Sequence, residues 1–179
     1  MSAAETPSSS QGSPFWRFSL RFYRQPGVAE ACIALQEEAG VDVNLLLFLL
    51  WHATHERLLS ATEVADLENR IGGWRDATVV PLRAVRRALK SPPGLVEPAT
   101  AEAFRTRIKA VELEAERLQQ EAMYQLARPS LLGRKAPSPP DAARANIAAY
   151  APLCRSAFPQ PAIETLLAAF AGLERKSEE

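Results

Sequence analysis

The sequence predicts a single all-α domain of six or seven helices packed around one buried central helix. Three observations support this prediction. The apolar run from Val43 to Trp51 is interrupted only by Asn44, and it is too short to span a bilayer, which needs ~20 apolar residues. Helix-capping signals recur along the chain. There is no sustained alternation of apolar and polar residues and no Asn-Gly or Asp-Gly turn, so we expect no strands.

Length and composition are those of an ordinary soluble domain. The 179 residues suffice for one real core. The 21 Lys and Arg residues balance the 21 Asp and Glu residues, so overall charge gives no sign of a dedicated nucleic-acid binder. Cys32 and Cys154 lack metal or redox spacing, and we expect buried free thiols. With no signal sequence or membrane-spanning segment, we expect a cytoplasmic protein that does not insert into membranes.

Recognisable caps begin the predicted N-terminal helices. Residues 1–12 lack large apolar side chains, and we predict a disordered tail there. The capping signals then divide the first third of the chain into three helices, 14–24, 28–39 and 42–58. Ser13 and Asp42 are the N-caps of the first and third helices, and Gly40 ends the second.

The rest of the chain follows the same logic. The predicted helices are 60–72, 74–90, 98–128, 142–158 and 163–173. We expect a break or a sharp bend between the first two at Gly72 and Gly73, because adjacent glycines cost ~2 kcal/mol in a helix interior. Pro152 leaves one helix or two over 142–158. The resulting organisation is a core domain at 13–128, a proline-rich linker at 129–140, C-terminal helices at 141–173 and a charged tail at 174–179.

The longest predicted helix, 98–128, spans ~45 Å and carries one apolar stripe. Its members recur at spacings of mostly three and four: Phe104, Ile108, Val111, Ala115, Leu118, Ala122 and Leu126. Such a stripe needs a partner surface, either the rest of the bundle or a second chain. A homo-oligomer formed through this helix is therefore one expectation.

The chain's two histidines follow the apolar run, where we expect the core to meet solvent. On a continuing helix, His52 and Glu56 would be neighbours. Three interpretations stay open: a structural helix end, an acid/base or ligand contact oriented by Glu56, and part of a metal site. No second cluster has metal-ligand spacing, so we predict no metal and no cofactor. In the ligand interpretation, the pocket is lined by Trp16, Trp51, His52, His55 and Trp74.

A basic helix face is the second candidate site. Arg83, Arg86, Arg87 and Lys90 fall within about 100° of one another on the helix 74–90. Such a face could bind an acidic protein partner, phosphates or RNA. The alternative is a solvated surface whose cations favour the C-terminal end of the helix dipole. No aromatic residues interleave with these cations, so stacking on single-stranded nucleic acid has little support.

Two smaller features also allow more than one interpretation. The first helix sets aromatic residues opposite Arg17, Arg21 and Arg24, a pattern typical of a membrane-surface helix or of a core helix; we favour the core helix. Asn44 is the one amide in the apolar run and must find hydrogen-bond partners. It either supports the Asp42 cap or fixes the packing register.

Several segments together resemble a known family. They are Phe15-Trp-x-Phe-Ser-Leu-x-Phe-Tyr23, Pro26-Gly27-Val28, Leu35-Gln36-Glu37, Val41-Asp42-Val43-Asn44-Leu45-Leu46-Leu47 and Trp74-Arg75-x-x-x-Val79-Val80-x-Leu82-Arg83-x-x-Arg86. They are similar to a proteobacterial family of short conserved hypothetical proteins classified as a domain of unknown function, family 2390. The resemblance covers roughly residues 14–127 and implies a cytosolic bacterial protein. It implies no activity, cofactor or catalytic residue.

The leading functional hypothesis is a non-enzymatic protein-interaction or adaptor role. No catalytic set is visible, whereas the striped helix and the basic face offer binding surfaces. The first alternative is a small-molecule-binding protein or enzyme with a pocket near His52 and Glu56. The second is an RNA- or ribosome-associated factor that uses the basic face.

Overall fold

The computed structural model describes residues 12–128 and 131–177, and confirms the all-α class. Its helices are α1 (Pro14–Tyr23), α2 (Val28–Ala34), α3 (Val43–Thr54), α4 (Ala61–Trp74), α5 (Val80–Ala88), α6 (Pro98–Leu126), α7 (Pro139–Tyr150) and α8 (Gln160–Ser177). With α4 and α5 counted as one continuous run, the described residues form seven helices, as the sequence predicts. The predicted disordered tail lies outside the described residues except for Gly12.

The apolar run forms the central helix α3, in agreement with the sequence. Every residue from Asn44 to Ala53 is buried. Asp42 caps the helix, since its Oδ1 accepts the backbone N–H of Asn44 at 2.8 Å and of Leu45 at 3.2 Å. Helix α7 packs beside α3 and buries Ala142 and Ala143, whose small side chains allow the two backbones to approach closely.

Helix α1 is a core helix and not a membrane-surface helix. Phe15 and Phe22 are fully buried, and the Phe15 ring meets Phe48 of α3 at 4.9 Å between centroids. The arginines on the opposite face of α1 are exposed. Ser13 caps the helix by accepting the backbone N–H of Trp16 at 3.1 Å. None of the helices that the structure describes is both long and apolar enough to cross a membrane.

The end of the central helix differs from the sequence prediction. Helix α3 stops at Thr54 instead of Leu58, and Glu56 adopts a positive φ of 53°. The next two residues, Arg57–Leu58, form strand β1, which pairs antiparallel with strand β2, Arg134–Lys135. The expectation of no strands was wrong because two-residue strands are too short to show an alternating pattern. Strand β2 also places a short element inside the predicted linker.

The predicted break at Gly72 and Gly73 was also wrong. Helix α4 runs through both glycines to Trp74, and a π-helical segment, Arg75–Val79, joins it to α5. Pro81 lacks the N–H that would continue the hydrogen-bond ladder, so the irregularity falls in the turn before it. A second π-helical segment, Leu35–Ala39, extends α2 and ends at Gly40 with φ 71°, the predicted terminator.

The side chain of Asn146 replaces backbone pairing where α3 ends. This fully buried amide on α7 donates to the carbonyl oxygens of Leu49 and Arg57, both at 3.0 Å. Its own oxygen accepts the backbone N–H of Leu59 at 2.8 Å. One side chain therefore satisfies two backbone groups that follow the early end of α3, the carbonyl of Arg57 and the N–H of Leu59, and ties them to the carbonyl of Leu49 within the helix.

Replacing this amide should be costly. We expect Asn146→Ala to lower the free energy of unfolding by roughly 2–4 kcal/mol, because it leaves buried hydrogen-bond donors and acceptors without partners. Urea denaturation measures the loss. Arg144→Ala, an exposed position two residues away on α7, should change stability by less than about 0.5 kcal/mol. Equal losses in the two variants would contradict the role of Asn146.

Candidate functional site

His52 lies inside the core and not at its edge with solvent. Its imidazole is fully buried against the rings of Phe48, at 4.5 Å between centroids, and Trp51, at 5.2 Å. Burial is the main reason that its pKa falls to about 3. Neither ring nitrogen has a hydrogen-bond partner in the described part of the chain. At neutral pH, His52 is therefore an uncharged aromatic member of the core.

Neither His55 nor Glu56 bonds to the His52 imidazole. The Nδ1 atom of His55, an exposed residue, lies 3.0 Å from the carbonyl oxygen of Trp51 and 3.0 Å from the hydroxyl of Thr54. Glu56 follows the helix end and reaches Lys135 at 3.5 Å. The neighbour relation expected between His52 and Glu56 requires a helix that continues, and α3 does not. Within residues 12–128 and 131–177, no group of three or more His, Cys, Asp or Glu side chains could hold a metal ion.

The three tryptophans do not line one pocket. Trp16 is buried on α1, and the Trp51 ring packs on Tyr124 of α6 at 5.6 Å between centroids. The indole N–H of Trp74 instead donates to the carbonyl oxygen of Ala115 at 3.0 Å. Ala115 and Tyr124 are separated by ~13 Å along α6. The structure therefore places Trp74 near the middle of α6, away from the histidines.

Two of the four cations on the predicted basic face are turned onto α6. Arg83 donates to Glu112 at 3.0 Å, to Glu116 at 2.7 Å and to the amide oxygen of Gln36 at 2.6 Å. Arg86 donates to both carboxylate oxygens of Glu112. Burial acts to raise the pKa of Glu112, but the hydrogen bonds from Arg86 and Arg83 outweigh it, so this pKa is lowered. These arginines fasten α5 to α6.

The other two cations face solvent. Arg87 donates to Glu37 at 2.9 Å in an ion pair whose side chains are about half exposed. Lys90 is exposed, and within the described ranges it makes no ion pair. The free basic surface is therefore smaller than the sequence indicates, because intrachain carboxylates neutralise most of it.

A second group of buried polar side chains joins α6 to the cap of the central helix. Gln119 on α6 donates to Oδ2 of Asp42 at 2.9 Å and accepts from Asn44 at 3.0 Å. Gln120 donates to the amide oxygen of Asn44 at 2.8 Å. Arg75, from the π-helical segment, lies 3.4 Å from the same Asp42 oxygen. Asn44 thus binds α6 through its side chain instead of supporting the cap.

We call these two groups together the polar clamp. Its members are Gln36, Asp42, Asn44, Arg75, Arg83, Arg86, Glu112, Glu116, Gln119 and Gln120. Each arginine in it meets at least one carboxylate, so the arrangement holds helices together. Glu116 differs from Glu112, because burial raises its pKa although Arg83 opposes this effect.

Sequence reasoning did not find the clamp, although signals for it were present. Gln36, Asp42, Asn44 and several clamp arginines come from the segments that carry the family resemblance. Glu112 and Gln119 are seven residues apart and share a face of α6. Both side chains are buried. The bundle therefore covers a polar face of α6 that lies next to the apolar stripe.

The apolar stripe of α6 is consequently only partly covered. Ala115 is buried, but Phe104, Val111 and Leu118 are 43%, 51% and 44% exposed. At 100° per residue, positions seven apart deviate by only about 20°, so these three side chains form a nearly straight row ~21 Å long. Arg107 and Glu114 lie along one side of this row. We call the five residues the open face of α6.

A groove adjoins the open face near the start of α6. Its volume is about 340 Å³, and part of its lining comes from the connection between α5 and α6. The lining includes Leu89, Pro92, Pro93, Val96, Phe104 and Arg107. The Arg107 guanidinium carbon lies 5.4 Å from the centroid of the Phe104 ring, so a cation borders an apolar floor.

The fold and these surfaces define an all-α protein in which polar contacts hold α5 and α6 against the other helices of the bundle. The open face of α6 stays exposed. A family model described as "Protein of unknown function (DUF2390)" matches residues 14–123. The chain belongs to this family. No curated protein and no solved structure matches the chain.

Burial of His52 predicts a specific pH dependence. The unfolded chain binds a proton below about pH 6.5, whereas folded His52 stays neutral down to about pH 3, so stability falls as pH decreases through this window. Between pH 8 and pH 5, the wild type should lose about 2 kcal/mol more than His52→Leu does. Urea denaturation at both pH values measures this difference. His55→Gln should retain the wild-type dependence, and a wild-type profile in His52→Leu would contradict the assignment.

Removal of one clamp charge should loosen α5. Glu112→Gln leaves the partly buried Arg83 and Arg86 without their shared carboxylate, and we expect α5 to open more easily by about 2–3 kcal/mol. Amide hydrogen exchange should report this as at least tenfold faster exchange in residues 80–88. Glu114→Gln, at an exposed position on the same helix, is the control. Unchanged protection of α5 in Glu112→Gln would show that the clamp does not hold it.

Proposed function

We propose that this protein is a non-enzymatic protein-interaction module that binds an amphipathic helix along the open face of α6. The observation that carries the proposal is the exposure of Phe104, Val111 and Leu118 in one row. Exposed apolar residues are common singly, but an aligned set beside a groove is typical of interaction surfaces. An amphipathic helix presents side chains with the same spacing and packs along such a row.

The clamp supports the proposal by fixing the position of this face. Helix α5 buries none of its own residues, and among residues 80–111 only Ala101 is buried. Apolar packing is thus too sparse to hold this part of the chain, and the ion pairs of Arg83 and Arg86 with Glu112 supply the attachment. A binding surface on a rigid support loses less conformational freedom when it binds.

The alternative functions have less support from the geometry. A pocket with His52 as an acid/base would need a solvent-accessible imidazole near Glu56, and His52 is enclosed by aromatic rings. Binding of RNA through the basic face would compete with the carboxylates that already pair with Arg83, Arg86 and Arg87.

Site-specific photocrosslinking in cells tests the proposed surface. Val111 and Leu113 form a matched pair, because both are 51% exposed and point to nearly opposite sides of α6. A photoreactive amino acid at position 111 should yield a discrete covalent adduct with a protein, whereas the same group at position 113 should yield none.

The comparison is decisive in both directions. An adduct at position 111 alone supports an interaction surface on the open face, whichever protein is captured. No adduct at either position, or equal adducts at both, would overturn the proposal. Circular dichroism of the purified variants should show unchanged helicity, since both positions are exposed.

A further inference from the structure

We infer that the helix bound by the open face is α6 of a second copy, paired antiparallel about a two-fold axis through Val111. This inference rests on the proposed function and names its partner. It commits to self-association because the open face is complementary to itself in shape and in charge.

The apolar row matches itself when one copy is reversed. Phe104 and Leu118 are each seven residues from Val111, or ~10.5 Å along the helix. A two-fold axis through Val111 therefore sets Phe104 of one copy beside Leu118 of the other and brings the two Val111 side chains together. Leu118 of the second copy then lies at the level of the groove beside Phe104, where Val96 and Pro93 offer apolar contacts.

The charges match in the same arrangement. Along the helix axis, Arg107 lies ~6 Å before Val111 and Glu114 lies ~4.5 Å after it. In the antiparallel pair, Arg107 of one copy is therefore offset by only about 1.5 Å along the helix axis from Glu114 of the other copy. Around the helix axis, Arg107 and Glu114 lie about 40° and 60° from Val111, both on the same side of the row. The two-fold axis creates this opposite-charge contact twice.

Parallel pairing fails the same charge criterion. It would place the two Arg107 residues at one level, and the two Glu114 residues at another, on opposite sides of the row, so neither Arg107 would reach Glu114 of the other copy and both opposite-charge contacts would be lost. In the described part of the chain, Arg107 makes no ion pair and has only its contact with the Phe104 ring. Glu114 is 54% exposed and accepts from Arg117 of its own turn through both carboxylate oxygens, at 2.6 and 2.8 Å. Each carboxylate oxygen has a further lone pair with which it can accept from a second cation.

Charge reversal with mixing tests the pairing. Sedimentation equilibrium of the wild type should show a species of twice the 19.6 kDa chain mass that dissociates on dilution. Arg107→Glu alone and Glu114→Arg alone should each associate at least about fivefold more weakly, because each creates two like-charge contacts. An equimolar mixture of the two variants should regain near wild-type association, since both contacts again join opposite charges.

Matched controls use the opposite side of α6. Glu102→Arg breaks a comparable i,i+3 ion pair with Arg105, and Lys109→Glu reverses the charge at its position. Both side chains point away from the row. Neither change should therefore alter association. Val111→Asp should weaken association roughly 30-fold or more, because two carboxylates would meet on the axis.

The outcomes separate this inference from the proposed function. A wild type that stays monomeric at every concentration, a Val111→Asp variant that still dimerises, or a mixture that does not recover would each overturn the antiparallel pair. If position 111 then crosslinks to a different protein, the interaction surface stands and its partner is not a second copy. A crosslinked product of two copies of this chain, together with recovery in the mixture, supports both.

Discussion

The carboxylate of Asp42 is the interaction on which the rest of the structure depends. A helix as apolar as α3 can be buried whole only if its first backbone N–H groups find acceptors in the core. One carboxylate oxygen of Asp42 accepts hydrogen bonds from the backbone N–H groups of Asn44 and Leu45. The other accepts a hydrogen bond from the side-chain amide of Gln119 and lies near Arg75. Its own backbone N–H donates to the hydroxyl of Tyr150 at 2.9 Å. A single cap therefore joins α3 to α6, to α7 and to the π-helical segment that follows α4.

This constraint determines which face of α6 is covered. Gln119 and Gln120 must turn inward to reach Asp42 and Asn44, and Glu112 turns inward to meet Arg83 and Arg86. Because positions on a helix are fixed relative to one another, the apolar row is rotated partly out of the bundle. The exposed row is thus a consequence of polar pairing in the core, and it provides the surface proposed for binding.

Local chemistry explains how far the sequence predictions succeeded. The caps at Ser13 and Asp42 act within three residues, so they could be recognised from the sequence, as could the burial of the Val43–Trp51 run. Distant contacts explain the errors. The early end of α3 depends on Asn146, about ninety positions away, and the π-helical segment before Pro81 depends on how the ladder adjusts to a missing donor. The predicted histidine site assumed that the helix continued.

The sequence by itself determined that this is an all-α protein with a buried leucine-rich centre, because apolar content, periodicity and caps are local properties. It also carried the residues by which the family is recognised. Only the tertiary structure decided that His52 is enclosed, that Arg83 and Arg86 bind carboxylates within the chain, and which side of α6 stays open. The physical reason is that a helix can bury only part of its circumference, and pairing of buried polar groups across the fold selects that part.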